Sequence, residues 1–171
     1  PSVSGVRGLC IFPANGGGGY AIGQDVLGTT SPTKKFEDFN DGFYQLVNRA
    51  ANLALSISGV TPVLDPGDLS VNLSQYQLLL NVGSETYRLR NRSTGRCLSG
   101  AGISSVSGAA LLDEDYTAMP HQNWRLISVD GTDFYLMNEW SGLVVGTPSG
   151  ASSAGTALVQ EAINGTSTQH W

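Results

Sequence analysis

The sequence predicts an all-β protein made of consecutive equivalent units, and three observations carry that prediction. First, the stretch from Tyr87 to Trp124 recurs without a gap 47 positions further on. Leu89 returns as Leu136, Asn91 as Asn138, Gly95 as Gly142, Leu98 as Val145, Gly108 as Gly155, Leu111 as Leu158, Glu114 as Glu161, Gln122 as Gln169 and Trp124 as Trp171. A fixed period of this size marks units that bury a core only by stacking on one another. Second, the apolar positions of each unit alternate over four short runs, with turn residues roughly every 8 to 12 positions, as in sandwiches and barrels. Third, only 13% of the 171 residues are charged and 22 are glycine, a composition that suits a compact chain with many turns. No stretch carries a 3.6-residue apolar stripe with caps, so little helix is expected.

Taken in order, residues 1–42 do not follow the repeat and read as an extension packed on the barrel. Leu9 to Phe12 and Tyr20 to Val26 read as strands around a flexible Gly16 to Gly19 loop. Lys35 to Phe39 reads as a strand entering the turn Asn40-Asp41-Gly42. The first unit covers about 43–86. Its Tyr44-Gln-Leu46-Val-Asn48 matches Tyr87-Arg-Leu89-Arg-Asn91 at a shift of 43, and its Gln75-Tyr-Gln77 matches Gln122-Asn-Trp124 at 47. That places a four-residue shortening around Pro62 to Asp68 and puts Gln77 where the later units have Trp. The second unit covers about 87–133 and the third 134–171. Gly95 and Gly142 are expected at positive φ in the first turn of their units. Because the third unit stops at Trp171 where the second continues, Lys35 to Phe39 is expected to cover the strand edge left there.

Several function classes are disfavoured. A formal net charge of −5 supplies no electrostatic footprint for nucleic acid or an anionic membrane, and no apolar run approaches the roughly 18 residues of a membrane span. Cys10 and Cys97 form neither a disulfide framework nor a metal set; one bridge between them and two buried thiols both remain open. With Pro1 first and no leader pattern, a cytoplasmic product that lost its initiator Met is expected, the alternative being a secreted, processed chain. The triplets at Asn72, Asn91 and Asn164 would accept glycans only in the second case. Asn91 reads as structural, because its equivalents Asn48 and Asn138 lack the triplet. The two histidines, His121 and His170, differ in register, and no nucleophile elbow, phosphate loop or metal spacing is present. No enzyme, cofactor or metal site is expected.

Some side chains do suggest binding. Asp113, Glu114 and Asp115 form an acidic cluster before Tyr116, either a solvated turn or a rim for hydroxyls or a cation. The Trp of each Gln-x-Trp end is expected in the shared core, its Gln bonded to backbone in the adjoining turn. Trp140 follows a turn signal without an aromatic counterpart and is expected part exposed, where it could stack a sugar ring or a protein partner.

Units built as Tyr-x-Leu-x-Asn, Ser/Thr-Gly-x-x-Leu, Gly-x-x-Leu and Gln-x-Trp across residues 43–171 resemble the ricin B-type β-trefoil lectins. The resemblance implies three four-strand units about a pseudo-threefold axis, a six-stranded barrel with a hairpin cap, and up to three shallow sugar sites. The family's galactose pocket has an Asp two positions after the motif's Cys; Ser56, Ser99 and Gly146 stand there. Its stacking aromatic falls near Glu114 and Glu161, and its Asn-Gln pair becomes His121-Gln122 and Thr168-Gln169. Without that charge-assisted acceptor, ordinary galactose binding is not expected. A modified second-unit pocket would draw on Asp113, Asp115 and Tyr116, with His121 and Gln122 at the rim; the third unit offers Gln160 and Glu161. The function implied is a carbohydrate-binding lectin with non-standard sites and a glycan or glycoprotein partner. The alternative is a lectin-like protein that binds no sugar and acts through a protein partner. It would serve as an accessory subunit of an enzyme, or as a β-trefoil protease inhibitor presenting Asp65 to Asp68 or Ala14 to Gly19.

Overall fold

The computed structural model describes residues 43–67, 72–81 and 84–171. The readings made within residues 1–42, including the Gly16 to Gly19 loop, the Lys35 to Phe39 edge strand and the partner of Cys10, lie outside the described residues. So do the end of the Asp65 to Asp68 loop and the side chain of Asn72.

The described chain holds eleven strands. The first unit supplies β1 (Val47–Asn48), β2 (Leu53–Ser58), β3 (Thr61–Asp65) and β4 (Tyr76–Leu80). The second supplies β5 (Tyr87–Asn91), β6 (Cys97–Gly100), β7 (Leu111–Glu114) and β8 (Trp124–Ser128). The third supplies β9 (Phe134–Asn138), β10 (Val144–Gly146) and β11 (Val159–Glu161). Helix among the described residues is limited to three-residue 3-10 turns such as Pro120–Gln122. β4 pairs with β5 from Tyr76 opposite Asn91 to Leu80 opposite Tyr87, and β8 pairs with β9 in the same way from Trp124 opposite Asn138.

Three bridges, one per unit, join these ribbons into a ring. Tyr44 bridges Tyr76, Tyr87 pairs with Trp124, and Phe134 and Trp171 exchange two backbone hydrogen bonds of 2.9 Å. The Arg49 N–H donates to the His170 carbonyl at 2.9 Å, joining the last unit to the first. The three remaining hairpins, β2–β3, β6–β7 and β10–β11, cap one end, as in a β-trefoil. Period-2 alternation then sends equivalent side chains inward from every unit. Leu46, Leu89 and Leu136 form one layer and Leu55, Leu98 and Val145 another, all fully buried. Trp124 and Trp171 are fully buried, and their indole N–H groups donate to the Leu98 and Val145 carbonyls. Gly95 and Gly142 sit at φ +71 and +67, as the turns require.

Two details of the first unit differ from the sequence alignment. Tyr76, not Gln77, occupies the Trp position, because Tyr76 faces Asn91 as Trp124 faces Asn138, while Gln77 lies opposite Arg90. The missing residues also come from another place. Leu55 pairs with Leu64, nine positions on, whereas Leu98 pairs with Asp113, fifteen positions on. The shortened connection is therefore the tight β2–β3 hairpin through Gly59 and Val60, and Thr61–Asp65 is a strand.

Candidate functional site

The second unit differs from the others by what surrounds its β6–β7 hairpin. Pairing puts Cys97 opposite Glu114 and Ser99 opposite Leu112, so Glu114 leans along the pair and its Oε2 accepts a 2.7 Å hydrogen bond from the Ser99 hydroxyl. The 3-10 turn Pro120–Gln122 brings His121 alongside, with Nε2 3.9 Å from the same Glu114 oxygen. His121 is 7% exposed, and its Nδ1 has no hydrogen-bond partner. Glu114 and His121 line a cavity of about 640 Å³ that also takes in Arg96, Asp113 and Asp115, with Val60, Ile103 and Met119 as its exposed apolar members.

Asp113 is the unusual group. It is 1% exposed, and its carboxylate makes no close hydrogen bond, feeling only the weaker pull of the Thr94 hydroxyl. Burial pushes its pKa up, against the pull of the Thr94 hydroxyl and the Arg96 charge. Its equivalent 47 positions on, Gln160, is equally buried but satisfied: its amide donates to the Ser104 carbonyl at 2.7 Å and its carbonyl accepts from the Ser141 hydroxyl at 2.9 Å. Asp115 is exposed and paired with Arg96 at 3.2 Å.

Other residues singled out in the sequence sit elsewhere. Tyr116 is part exposed but lies under the Arg88 guanidinium, 4.5 Å from the ring centroid, and does not line the cavity. Gln122 is a turn clamp: its carbonyl accepts from the Thr117 N–H at 2.7 Å and its amide donates to the Asp115 carbonyl at 2.8 Å. Gln169 repeats the arrangement on Asn164 and Ala162. Trp140 is 54% exposed and its indole N–H donates to the Ile103 carbonyl at 3.0 Å, so it braces the cavity rim from the third unit. Ile103 has φ +58, a strained conformation for a β-branched residue.

Among the described residues, the first and third units are built differently at the equivalent place. In the third, Glu161 Oε2 lies where a side chain at Gly146 would go, 2.7 Å from the position of an added Cβ, and it accepts from the Gln169 amide at 3.3 Å. In the first, the short hairpin leaves no loop equivalent to residues 101–107. Its tip instead reaches the second unit, where the Val60 carbonyl accepts from the Asp113 N–H at 2.9 Å. Val60, Ile103, Met119 and Arg96 were not legible as site residues. Only Ile103 left a signal, since the repeat places it against Gly150. Among the described residues, no group of three or more His, Cys, Asp or Glu is placed to hold a metal ion.

Residues 72–161, more than half of the chain, match the family described as ricin-type beta-trefoil lectin domain-like. No curated protein matches the chain. Among solved structures, the designed threefold-symmetric protein ThreeFoil superposes with a TM-score of 0.73 at 24% identity, over 77% of this chain and 96% of that one. The ricin B-like lectin of Macrolepiota procera, in complex with lactose, gives 0.66 at 17% identity, over 84% and 96%. The Polyporus squamosus lectin, bound to the epitope Neu5Acα2-6Galβ1-4GlcNAc, gives 0.62 at 20% identity, over 75% of this chain and 46% of that one. At these identities the likeness is one of fold.

Proposed function

The chain belongs to the ricin-type β-trefoil lectin-like family, and on that premise we propose that it binds carbohydrate, without catalysis, through the cavity of its second unit. The observation that carries this reading is the Glu114 carboxylate held by Ser99 beside His121. In the family's pocket the acceptor for paired sugar hydroxyls comes from the position of Ser99. Here a carboxylate reaches that position from the facing strand, rooted where the family has its stacking aromatic. The exchange keeps a charge-assisted acceptor for hydroxyls and gives up the aromatic plate. Val60, Ile103 and Met119 offer an apolar surface for the C–H face of a ring instead. His121, whose Nε2 stands 3.9 Å from the same carboxylate oxygen, closes that side of the cavity. Two fold neighbours, the Macrolepiota and Polyporus lectins, were solved with sugars bound, which supports the reading at the level of the family.

A glycan array followed by titration calorimetry of the hits tests it. Glu114→Ala and His121→Ala should each weaken binding of a hit about 10- to 100-fold, the worth of a charge-assisted hydrogen bond of about 1.5–3 kcal/mol. Hits that survive both substitutions would place the sugar elsewhere on the fold. Silence across the array with a co-purifying protein would favour the reading in which the same apolar rim contacts a protein partner.

A further inference from the structure

The second unit also differs from its neighbours on the outer face of β5. Alternation buries Tyr87, Leu89 and Asn91 and leaves Arg88 and Arg90 on the other face, half-buried and exposed respectively. Arg92, half-buried just past the strand end, continues the row, because its backbone N–H still pairs with the Gln75 carbonyl at 2.8 Å. Strand geometry spaces the three about 6.7 Å apart. The fold does not ask for them: the equivalent positions hold Gln45, Val47 and Arg49 in the first unit and Tyr135, Met137 and Glu139 in the third. Like charges at that interval repel one another. Their partners, moreover, are neutral. The Arg88 guanidinium lies 4.5 Å from the Tyr116 ring centroid and that of Arg92 4.8 Å from the Phe43 centroid. Arg90 Nε donates to the Gly95 carbonyl at 3.1 Å, and an Arg92 terminal nitrogen donates to the Gln75 side-chain carbonyl at 2.7 Å. Arg49 and Arg96 are paired with aspartates, whereas among the described residues no carboxylate forms an ion pair with the row. Each guanidinium is thus held in place while its charge and part of its donor fork stay uncommitted. Such positioning in advance lowers the ordering cost of binding an anion.

We propose that this row docks an extended acidic peptide segment of a partner protein, with Asp or Glu at alternate positions. In an extended chain alternate side chains share one face at the same interval of about 6.7 Å. Three carboxylates then meet three guanidiniums, each through charge-assisted, forked hydrogen bonds. The chain's net charge of −5 repels an acidic ligand at long range, so the attraction is local to the row. None of the three arginines lines the sugar cavity, and the docking surface stands or falls separately from it.

Fluorescence anisotropy on the full chain at low ionic strength tests it with two labelled peptides of equal composition, Glu-Ser-Glu-Ser-Glu and Glu-Glu-Glu-Ser-Ser. The alternating peptide should bind at least about threefold tighter, and added salt should weaken it. Arg88→Gln, Arg90→Gln and Arg92→Gln should each weaken its binding about 3- to 10-fold. Where Gln lowers the melting temperature, Arg88→Met and Arg92→Met stand in, because they keep an apolar stem on the ring. Arg125→Gln removes the same charge from an exposed position of β8 and should cost less than about twofold. Glu114→Ala, which disables the cavity, should leave peptide binding unchanged. Equal affinity for the two peptides, or an Arg125→Gln loss as large as those in the row, overturns the inference in favour of diffuse charge. Absence of peptide binding overturns it outright. Tighter binding of a heparin tetrasaccharide overturns it in favour of an acidic glycan, and tighter binding of a single-stranded oligothymidylate in favour of nucleic acid.

Discussion

Three buried asparagines tie each unit to the one before it. The Asn91 amide donates to the Leu73 carbonyl at 2.7 Å, Asn138 to His121 at 2.8 Å and Asn48 to Thr168 at 2.9 Å, the last crossing from the first unit to the third. Each side-chain carbonyl in turn accepts backbone N–H groups of its own turn, those of Ser93 and Thr94 at Asn91, of Trp140 and Ser141 at Asn138, and of Ala51 at Asn48. Asn91 is therefore structural, as its position in the repeat implied. Asn138→Ala would strand the His121 carbonyl and two turn N–H groups, and each unsatisfied buried group costs about 1–3 kcal/mol. A loss of roughly 3 kcal/mol in urea denaturation at unchanged m-value is expected, and a loss no larger than that of an exposed substitution would contradict the assignment. Tyr76 should behave in the opposite way. It is fully buried, and its hydroxyl makes no close hydrogen bond, with only a weak pull from the Asn91 side chain. Tyr76→Phe should thus be neutral or stabilising by up to about 1 kcal/mol. A clear destabilisation in the same assay would show that the hydroxyl does have a partner.

At the scale of elements, the connection between β6 and β7 is where the second unit departs from its neighbours. The loop carries Ile103 at a left-handed φ where the third unit has Gly150 at +75, and such strain costs about 1–3 kcal/mol. Third-unit groups hold it there: the Trp140 indole on the Ile103 carbonyl, the Gln160 side-chain amide on the Ser104 carbonyl, and the Gln160 backbone carbonyl accepting from the Gly108 N–H. Ile103→Gly should raise stability by about 1 kcal/mol and weaken ligand binding, since the apolar rim is lost with the strain. Thermal melts and calorimetry on the same sample check both halves, and a variant that gains nothing in stability would mean the backbone is at ease. Trp140→Phe keeps the ring and removes the N–H. If Trp140 acts by bracing the rim, this variant should bind more weakly while unfolding at nearly the wild-type temperature.

The whole molecule closes at the seam between the third and first units, where titratable groups crowd. Arg49 reaches from the first unit to pair with Asp133, which is fully buried, and with Asp130 at 3.0 Å. His170 packs edge-on against Tyr135 at 5.1 Å between centroids, its Nδ1 3.7 Å from Asp133. Burial lowers the His170 pKa, with Arg49 acting the same way and Asp133 and Asp130 opposing. A folded-state pKa below the unfolded value means that acid protonates the unfolded chain first. The seam is then at full strength above about pH 6.5 and weakens as pH falls through that value. Melting should accordingly drop between about pH 7.5 and 5.5, and drop less in His170→Gln; identical pH profiles would clear the histidine. Asp130 is held well below the usual carboxylate range, first by the Asp133 backbone N–H, then by the Thr132 hydroxyl and backbone and by Arg49. Its contribution is present above the unfolded carboxylate pKa and is lost only in stronger acid.

Alternating apolar residues and the 47-residue period are local properties, and they sufficed for the all-β class, the stacked units, the buried Trp124 and Trp171, the Gln turn clamps and the positive-φ glycines. The acidic cluster, His121 and the exposure of Trp140 could also be read directly from the chain. What the chain could not show depends on which residues face each other across strands and units. Tyr76 replaces Trp, although Gln77 aligns with it, because facing is set by register and a one-residue slip reverses it. Val60 helps to line a cavity in another unit because the first hairpin is short, and Trp140 braces Ile103 across a unit boundary. The β6–β7 pairing sets Glu114 beside the Ser99 hydroxyl, and it turns Asp113 to the opposite, buried face. Sequence alone determined the scaffold, since its pattern repeats within each unit. Tertiary structure decided the site, since register and loop length place every side chain of the cavity against one distant in sequence.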